Sequence, residues 1–103
     1  IEHFYLILLS ISNYVIKKQL ISQGGTAGTV VDPKLVFKAA LEHMAHSIIL
    51  VHNHPSGSAS PSEQDKKLTQ RLVRIGRDMD LSILDHMIFT DHGYFSFADE
   101  GIL

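Results

Sequence analysis

The chain has 103 residues, of which 45% are hydrophobic and 19% are charged, and its formal net charge is −2. This length suits one domain, residues 1–103, with a single core, and the composition is too apolar for a disordered chain. The lack of cysteine excludes disulfides and thiolate zinc sites, and the net charge supplies no overall basic field for nucleic acid.

The first third of the chain predicts a β-hairpin. Glu2 to Ser10 and Tyr14 to Ile21 are apolar and β-rich, and Ser12-Asn13 between them is a turn signal. The apolar run from Phe4 to Leu9 is far shorter than the roughly 20 residues that a membrane span needs. We therefore interpret it as a buried strand and expect no membrane association.

A glycine-rich loop and a helix follow the hairpin. Gln23 to Thr29 contains three glycines and predicts a loop, but it lacks the GxxxxGK[ST] and GxGxxG patterns of phosphate-binding loops. Asp32 and Pro33 are suited to be the N-cap and first residue of a helix. The apolar stripe expected on this helix consists of Leu35, Val36, Ala39, Ala40 and Met44.

Two histidines stand at the end of the next predicted strand. Ser47 to Val51 is short, apolar and branched, as in a buried strand, and His52 and His54 follow it. Side chains two residues apart on a strand point to the same face, so both imidazoles can bind one ion. The intervening Asn53 points to the opposite face, where we expect it to hold the following loop.

Asp65 lies near the start of a second predicted helix. Ser60-Pro61-Ser62-Glu63 has capping-box spacing with Pro61 at the first helical position, so we predict a helix from about Pro61 to Asp78. Its expected core residues are Leu68, Leu72, Ile75 and Met79. Its basic residues are interpreted as a solvated face in preference to a nucleic-acid patch; they are Lys66, Lys67, Arg71, Arg74 and Arg77.

Two further strands complete an α/β fold. Ser82 to Thr90 and Tyr94 to Phe97 are predicted strands, joined by a turn at Asp91-His92-Gly93. The resulting ββαβαββ order predicts a mixed sheet sandwiched by helices.

The histidines and Asp65 suit a zinc site. Two imidazoles and one carboxylate are ligands that Zn²⁺ accepts, and three protein ligands leave a fourth position for water, as in catalytic zinc sites. We predict one zinc ion held by His52, His54 and Asp65. The alternative is a pair of hydrogen-bonded histidines at a strand end without metal. His3, His43, His46 and His92 are interpreted as ordinary surface or structural residues.

These residues resemble the RadC family of bacterial proteins, in the JAB/MPN group of JAMM-motif zinc metallopeptidases. The group's pattern of His-x-His, seven residues, Ser, two residues and Asp, with a Glu upstream, is filled by His52, His54, Ser62, Asp65 and Glu2. The resemblance covers nearly the whole chain and includes the run from His52 to Gly57, Thr69 and Asp85-His86. In one departure, Asp32-Pro33-Lys34 replaces a more basic segment.

The resemblance implies a JAB/MPN, cytidine-deaminase-like architecture and the C-terminal part of a longer cytoplasmic protein. It implies that Glu2 is the general base and that Ser62 stabilises an oxyanion, although from spacing alone Glu2 could equally be a solvated strand end and Ser62 a helix cap. Asp85 and His86 would orient a ligand imidazole or form a structural pair.

The leading function is therefore zinc-dependent hydrolysis of a peptide or isopeptide bond. The alternative is a DNA-repair-associated, non-catalytic module with a structural or vestigial metal, which binds DNA or repair proteins through the full-length chain. A metal nuclease, suggested by the letters HNH, ranks last because the surroundings are not basic. The substrate and the oligomeric state cannot be read from the sequence.

Overall fold

A computed structural model describes residues 1–24 and 29–103. Its elements, in chain order, are β1 (Glu2–Leu9), β2 (Val15–Gly24), α1 (Pro33–Glu42), β3 (Ser47–Asn53), α2 (Glu63–Asp78), β4 (Ser82–Thr90) and β5 (Gly93–Ser96). The predicted α/β class and the ββαβαββ order are confirmed.

The five strands form one mixed sheet in the order β2-β1-β3-β4-β5. β1 pairs antiparallel with β2 and with β3, β3 and β4 are parallel, and β4 and β5 are antiparallel. β3 is therefore central, and α2 is the crossover that a parallel pair of strands requires. The carboxyl end of β3 lies between β1 and β4, which is where ligands collect in open α/β sheets.

One face of the sheet carries the core. Phe4, Leu6 and Leu8 of β1 and Ile48 and Leu50 of β3 are at most 1% exposed, as the period of two on a strand requires. Both helices contribute to the same hydrophobic cluster, through residues that include Val36, Phe37 and Ala40 of α1 and Leu72 of α2.

The predicted sandwich of sheet and helices needs one refinement. Both helices pack on the core face, whereas Tyr5 and Ile7 of β1 and Ile49 and Val51 of β3, which alternate with the core residues, are half-buried. Within the described residues, the helices therefore cover one face of the sheet.

The first helix is shorter than its predicted stripe. Asp32 is the N-cap and Pro33 begins the helix, as predicted, and Val36, Ala39 and Ala40 are buried. The predictions for Leu35 and Met44 were wrong, because these side chains are 48% and 86% exposed. Since α1 ends at Glu42, Met44 lies beyond it with a left-handed φ of 53°.

Several strand boundaries also differ from the prediction. Gln23 and Gly24, predicted to be in a loop, extend β2 because they pair with His3 and Glu2 of β1. The other glycines of that predicted loop lie within residues 25–28, outside the described residues. The last strand begins at Gly93 and ends at Ser96, one residue earlier than predicted at each end.

The prediction for the core stripe of α2 was partly correct. Leu72 is buried, and Leu68 and Ile75 are half-buried and pack against the core. Met79 is 39% exposed because it is the C-cap, where the helix turns towards β4. In the described part of the chain, no helix is long and apolar enough to cross a membrane.

Gly76 controls how closely α2 approaches the connection to β4. Its carbonyl accepts the Leu81 N–H at 2.8 Å, and a Cβ at this position would overlap the Leu81 carbonyl oxygen. We expect Gly76→Ala to lower the free energy of unfolding by about 1–3 kcal/mol through overpacking, despite the higher helix propensity of alanine. Urea unfolding measures this change.

The matched control is Gln70→Ala, at an exposed position of the same helix, where a change within about 0.5 kcal/mol is expected. Equal stability of the two variants would show that the backbone at Gly76 can move away from Leu81 at no cost.

Candidate metal centre

His52 and His54 meet at the carboxyl end of the central strand. His52 is 2% exposed and is paired with Phe4 of β1 and Ile88 of β4. His54 lies one residue beyond β3, and its backbone N–H donates to the Phe89 carbonyl at 2.9 Å. The two Nε2 atoms are 2.9 Å apart, so both rings point to one position, as their spacing predicted.

A backbone carbonyl fixes the protonation of the His54 ring. Its Nδ1 lies 2.9 Å from the Ser58 carbonyl oxygen, which can only accept a hydrogen bond. Nδ1 of His54 therefore carries the proton of the neutral ring. The lone pair at Nε2 is left facing His52, in the tautomer that a metal ligand requires.

Asp65 approaches from the first turn of α2. The predicted capping box at Ser60 and Glu63 was wrong by two residues, and Pro61 precedes the cap. Ser62 is the N-cap: its Oγ accepts the Asp65 N–H at 3.0 Å, and Asp65 Oδ2 accepts the Ser62 N–H at 2.8 Å. This reciprocal box holds the Asp65 carboxylate in a fixed orientation.

The Asp65 carboxylate contacts both imidazoles. Oδ1 lies 3.4 Å from His52 Nε2, and Oδ2 lies 3.2 Å from His54 Nε2. Burial raises the pKa of the Asp65 carboxyl, but the adjacent His52 ring and the hydrogen bond from the Ser62 backbone outweigh this effect and hold the pKa well below its usual range. Asp65 is therefore an anion poised against two ring nitrogens.

Glu2 lies on the other side of His52, at the start of β1. Its Oε1 is 4.0 Å from His52 Nε2, and its side chain is 19% exposed. One donor atom from each of Glu2, His52 and His54 lies within 4.8 Å of the others, so this group could hold a metal ion. The structure thus brings together Glu2, both histidines and Asp65, together with Ser62 at the helix cap.

Asn53 holds the segment that carries Glu2. Its Oδ1 accepts the His3 N–H at 2.7 Å, and its Nδ2 donates to the Ile1 carbonyl at 3.0 Å. The expectation that Asn53 secures the following loop was wrong, because the side chain reaches across to β1 instead. Both backbone neighbours of Glu2 are therefore attached to β3.

Behind His52 lies a buried polar pair, His86 and Thr69. His86 is 0% exposed and Thr69 is 1% exposed. His86 Nε2 is 2.7 Å from His52 Nδ1, and Thr69 Oγ1 is 2.6 Å from His86 Nδ1. Burial, with the nearby His52, lowers the pKa of His86 to about 3, and the charge of Asp65 only partly opposes this.

Asp85 does not share this contact with the His52 ring. Its carboxylate accepts the His86 backbone N–H at 2.7 Å, the Ser96 hydroxyl at 2.6 Å and the Ala98 N–H at 2.9 Å. It therefore secures β5 and the following turn to β4. No role was predicted for Thr69 from the sequence, although a threonine between Leu68 and Leu72 on the buried side of α2 indicates a buried polar contact.

A cleft of about 900 Å³ opens beside the four donor residues. Its apolar wall includes Phe4, Val31 and Leu68, and its polar wall includes Lys67 and Arg71 of α2. Glu2, His54, Ser62 and Asp65 also line it. A ligand in this cleft can therefore reach the carboxylates, the exposed edge of His54 and the Ser62 hydroxyl together.

Comparison with known proteins identifies relatives of the whole chain. The sequence model of the RadC-like JAB domain family matches residues 1–102. A UPF0758 protein of Flavobacterium johnsoniae is 50% identical over 98% of the chain and 44% of its own length. A UPF0758 protein of Symbiobacterium thermophilum is 44% identical over 100% of the chain and 44% of its own length. A UPF0758 protein of Porphyromonas gingivalis is 45% identical over 99% of the chain and 45% of its own length. The chain thus spans less than half the length of these relatives.

The lowered pKa of Asp65 predicts an acid-sensitive contribution to stability. Its ionised form favours the folded state, an effect that is present above the unfolded-state pKa of about 3.9 and lost as the pH falls through the lower folded-state value. In chelator, the free energy of unfolding should therefore fall more steeply for the wild type than for Asp65→Asn below about pH 4. Urea unfolding at a series of pH values measures this.

Glu63→Gln is the matched control, since Glu63 lies in the same helical turn with an exposed side chain. It should follow the wild-type pH profile. Parallel profiles for wild type and Asp65→Asn would contradict the prediction.

Proposed function

The chain belongs to the RadC-like JAB domain family, and from this membership and the geometry of the metal centre we propose that it is a zinc-dependent hydrolase of peptide or isopeptide bonds. The observation that carries the proposal is the convergence of His52 Nε2, His54 Nε2 and the Asp65 carboxylate beside a cleft. Such a group of lone pairs and negative charge is stabilised by a cation or a proton between them, and its position beside a cleft supports a metal ion.

The distances favour Asp65 as the third ligand. Ligand atoms about 2.1 Å from a tetrahedral zinc ion lie about 3.4 Å from one another. The Asp65 oxygens lie 3.4 and 3.2 Å from the two Nε2 atoms, close to this spacing. Glu2 Oε1 lies farther from His52 Nε2, at 4.0 Å, a position that suits a carboxylate in contact with a bound water.

Glu2 is proposed as the general base and acid. When bound, zinc supplies a Lewis acid and lowers the pKa of a water to about 7. The Glu2 carboxylate would accept a proton from the attacking water and return it to the leaving nitrogen of the amide. Asn53 supports this role, because it fixes the backbone on both sides of Glu2.

Ser62 is proposed to stabilise the oxyanion in addition to capping α2. Its oxygen accepts the Asp65 N–H, so the capping bond leaves its own O–H proton free to donate. Since Ser62 lines the cleft, this hydroxyl can donate to a substrate carbonyl oxygen as that oxygen gains charge. The two roles inferred from the sequence are therefore compatible.

The DNA-associated module remains the second candidate for the full-length protein. Lys67, Arg71 and Arg74 are exposed on α2, as phosphate contacts would need to be, but Lys66 pairs with Glu63 at 3.5 Å and the net charge is −2. The complete set of metal-site residues favours the hydrolase. DNA or repair partners, like the cytoplasmic location, stay predictions.

The proposal predicts about one zinc ion per chain. His54→Ala and Asp65→Asn should each lose most of this zinc, because each removes or weakens one of only three protein ligands. The zinc content is measured by elemental mass spectrometry after dialysis against a weak chelator. His43→Ala is the control: within the described residues the His43 ring bonds only the Ala39 carbonyl, so zinc should be retained. Full retention in both site variants would place the metal elsewhere.

Hydrolysis of a peptide library by the zinc-loaded protein tests the activity. Glu2→Gln keeps the size of the side chain but removes the proton acceptor, so cleavage should fall by about 10²–10⁴-fold while zinc content is unchanged. Glu63→Gln is the control, because Glu63 is an exposed carboxylate outside the cleft. This variant should cleave peptides like the wild type. Undiminished cleavage by Glu2→Gln would exclude Glu2 as the base, and a wild type that cleaves no peptide would reject the hydrolase.

A further inference from the structure

A continuous hydrogen-bonded chain connects the backbone of Asp65 to the ring of His52. Thr69 Oγ1 lies 2.7 Å from the Asp65 carbonyl oxygen and 2.6 Å from His86 Nδ1. His86 Nε2 then lies 2.7 Å from His52 Nδ1. Thr69, His86 and His52 are each at most 2% exposed, which makes the position of each proton between them energetically important.

The Asp65 carbonyl sets the direction of the first two bonds. A carbonyl oxygen only accepts, so the single hydroxyl proton of Thr69 must be donated to it. The Thr69 oxygen can then only accept from His86, and Nδ1 of His86 must carry a proton. Placing that proton elsewhere would leave two acceptors facing each other at 2.6 Å.

The neutrality of His86 sets the direction of the third bond. Its ring stacks on the Phe97 ring, with centroids 4.7 Å apart, and forms a T-shaped contact with the Phe4 ring, with centroids 5.6 Å apart. Among the described residues, no carboxylate lies within ion-pair distance of this ring. A charged imidazolium would be strongly disfavoured there. With its proton on Nδ1, the neutral ring presents Nε2 as an acceptor to His52 Nδ1.

We propose that Thr69 and His86 are positioning residues that fix His52 as the tautomer with its proton on Nδ1 and its Nε2 lone pair directed at His54 and Asp65. The Ser58 carbonyl does the same for His54. The contacts that fix this tautomer lie on the Nδ1 side of the His52 ring and involve no metal. Its consequence for zinc affinity rests on the proposed function, because only an unprotonated Nε2 can bind the ion.

The chain also connects two proposed ligands to each other. Thr69 holds the backbone of Asp65 within α2, and His86 of β4 holds the ring of His52. A displacement of α2 relative to β4 would therefore break the Thr69–His86 contact that links the two ligands. Loss of the Thr69 hydroxyl would leave the His86 Nδ1–H without an acceptor. His86 could then move its proton to Nε2 and donate to His52, which would place the His52 proton on the metal-binding nitrogen.

Thr69→Val tests this with a change of nearly equal volume, and Thr69→Ser restores the hydroxyl. In metal-free protein at about pH 9, long-range ¹H–¹⁵N spectra report which ring nitrogen carries the proton. We expect His52 and His86 to be protonated at Nδ1 in the wild type and in Thr69→Ser. In Thr69→Val, a substantial share of both rings should carry the proton on Nε2.

Zinc competition titrations supply the second measurement. Thr69→Val should bind zinc about 10–100-fold more weakly than the wild type, the usual effect of losing a group that orients a ligand, while Thr69→Ser should stay within a few-fold. His86→Phe is the second variant: it keeps a ring to stack on Phe97 but cannot accept from His52, and should weaken zinc binding similarly. Circular dichroism shows whether each variant is folded.

The outcomes separate this inference from the proposed function. A wild-type His52 protonated on Nε2 overturns the inference whatever the zinc affinity, as does a Thr69→Val protein with unchanged tautomers and zinc binding. The predicted tautomers in a wild type that binds no zinc would support the inference and reject the zinc hydrolase.

Discussion

The approach of the His52 and His54 Nε2 atoms to 2.9 Å is the interaction on which the site depends. Two ring nitrogens this close, with carboxylate oxygens of Asp65 beside them, repel one another unless a cation or proton lies between them. The surrounding contacts keep these groups together. The Ser58 carbonyl fixes His54, the helix cap fixes Asp65, and Asn53 fixes the backbone around Glu2. His54, Asp65 and Glu2 therefore each have a support of their own.

Much of the fold could be predicted because its local signals agree. Asp32-Pro33 set the start of α1, and the apolar alternation of β1 and β3 matched the face that is buried. The start of α2 could not be set locally, because Ser60 and Ser62 each precede an acidic residue by three positions, Glu63 and Asp65 respectively. The contacts of Asp65 with the histidines favour the second.

The site was only partly predictable, because some of its contacts depend on tertiary packing and not on local spacing. Spacing along one strand places His52 and His54 on a common face, so their approach follows from local geometry. Thr69 and His86 are 17 residues apart and come together only when α2 packs against β4. The Asn53 side chain was correctly predicted to point away from the histidines. Its partners at His3 and Ile1, however, depend on strand pairing that no local pattern gives.

The alternation of side chains along β3 has a further consequence for how this sequence can vary. His52 contributes to the donor group on one face of the sheet, while Asn53 reaches towards β1 from the next position. Deleting or inserting a single residue within β3 would reverse the faces of all following side chains. Such a change would separate the histidines from Asp65 and release the backbone around Glu2 in one step. Length variation among relatives should therefore be excluded from β3, and also from the segment directly after it, because the Ser58 carbonyl in that segment holds His54.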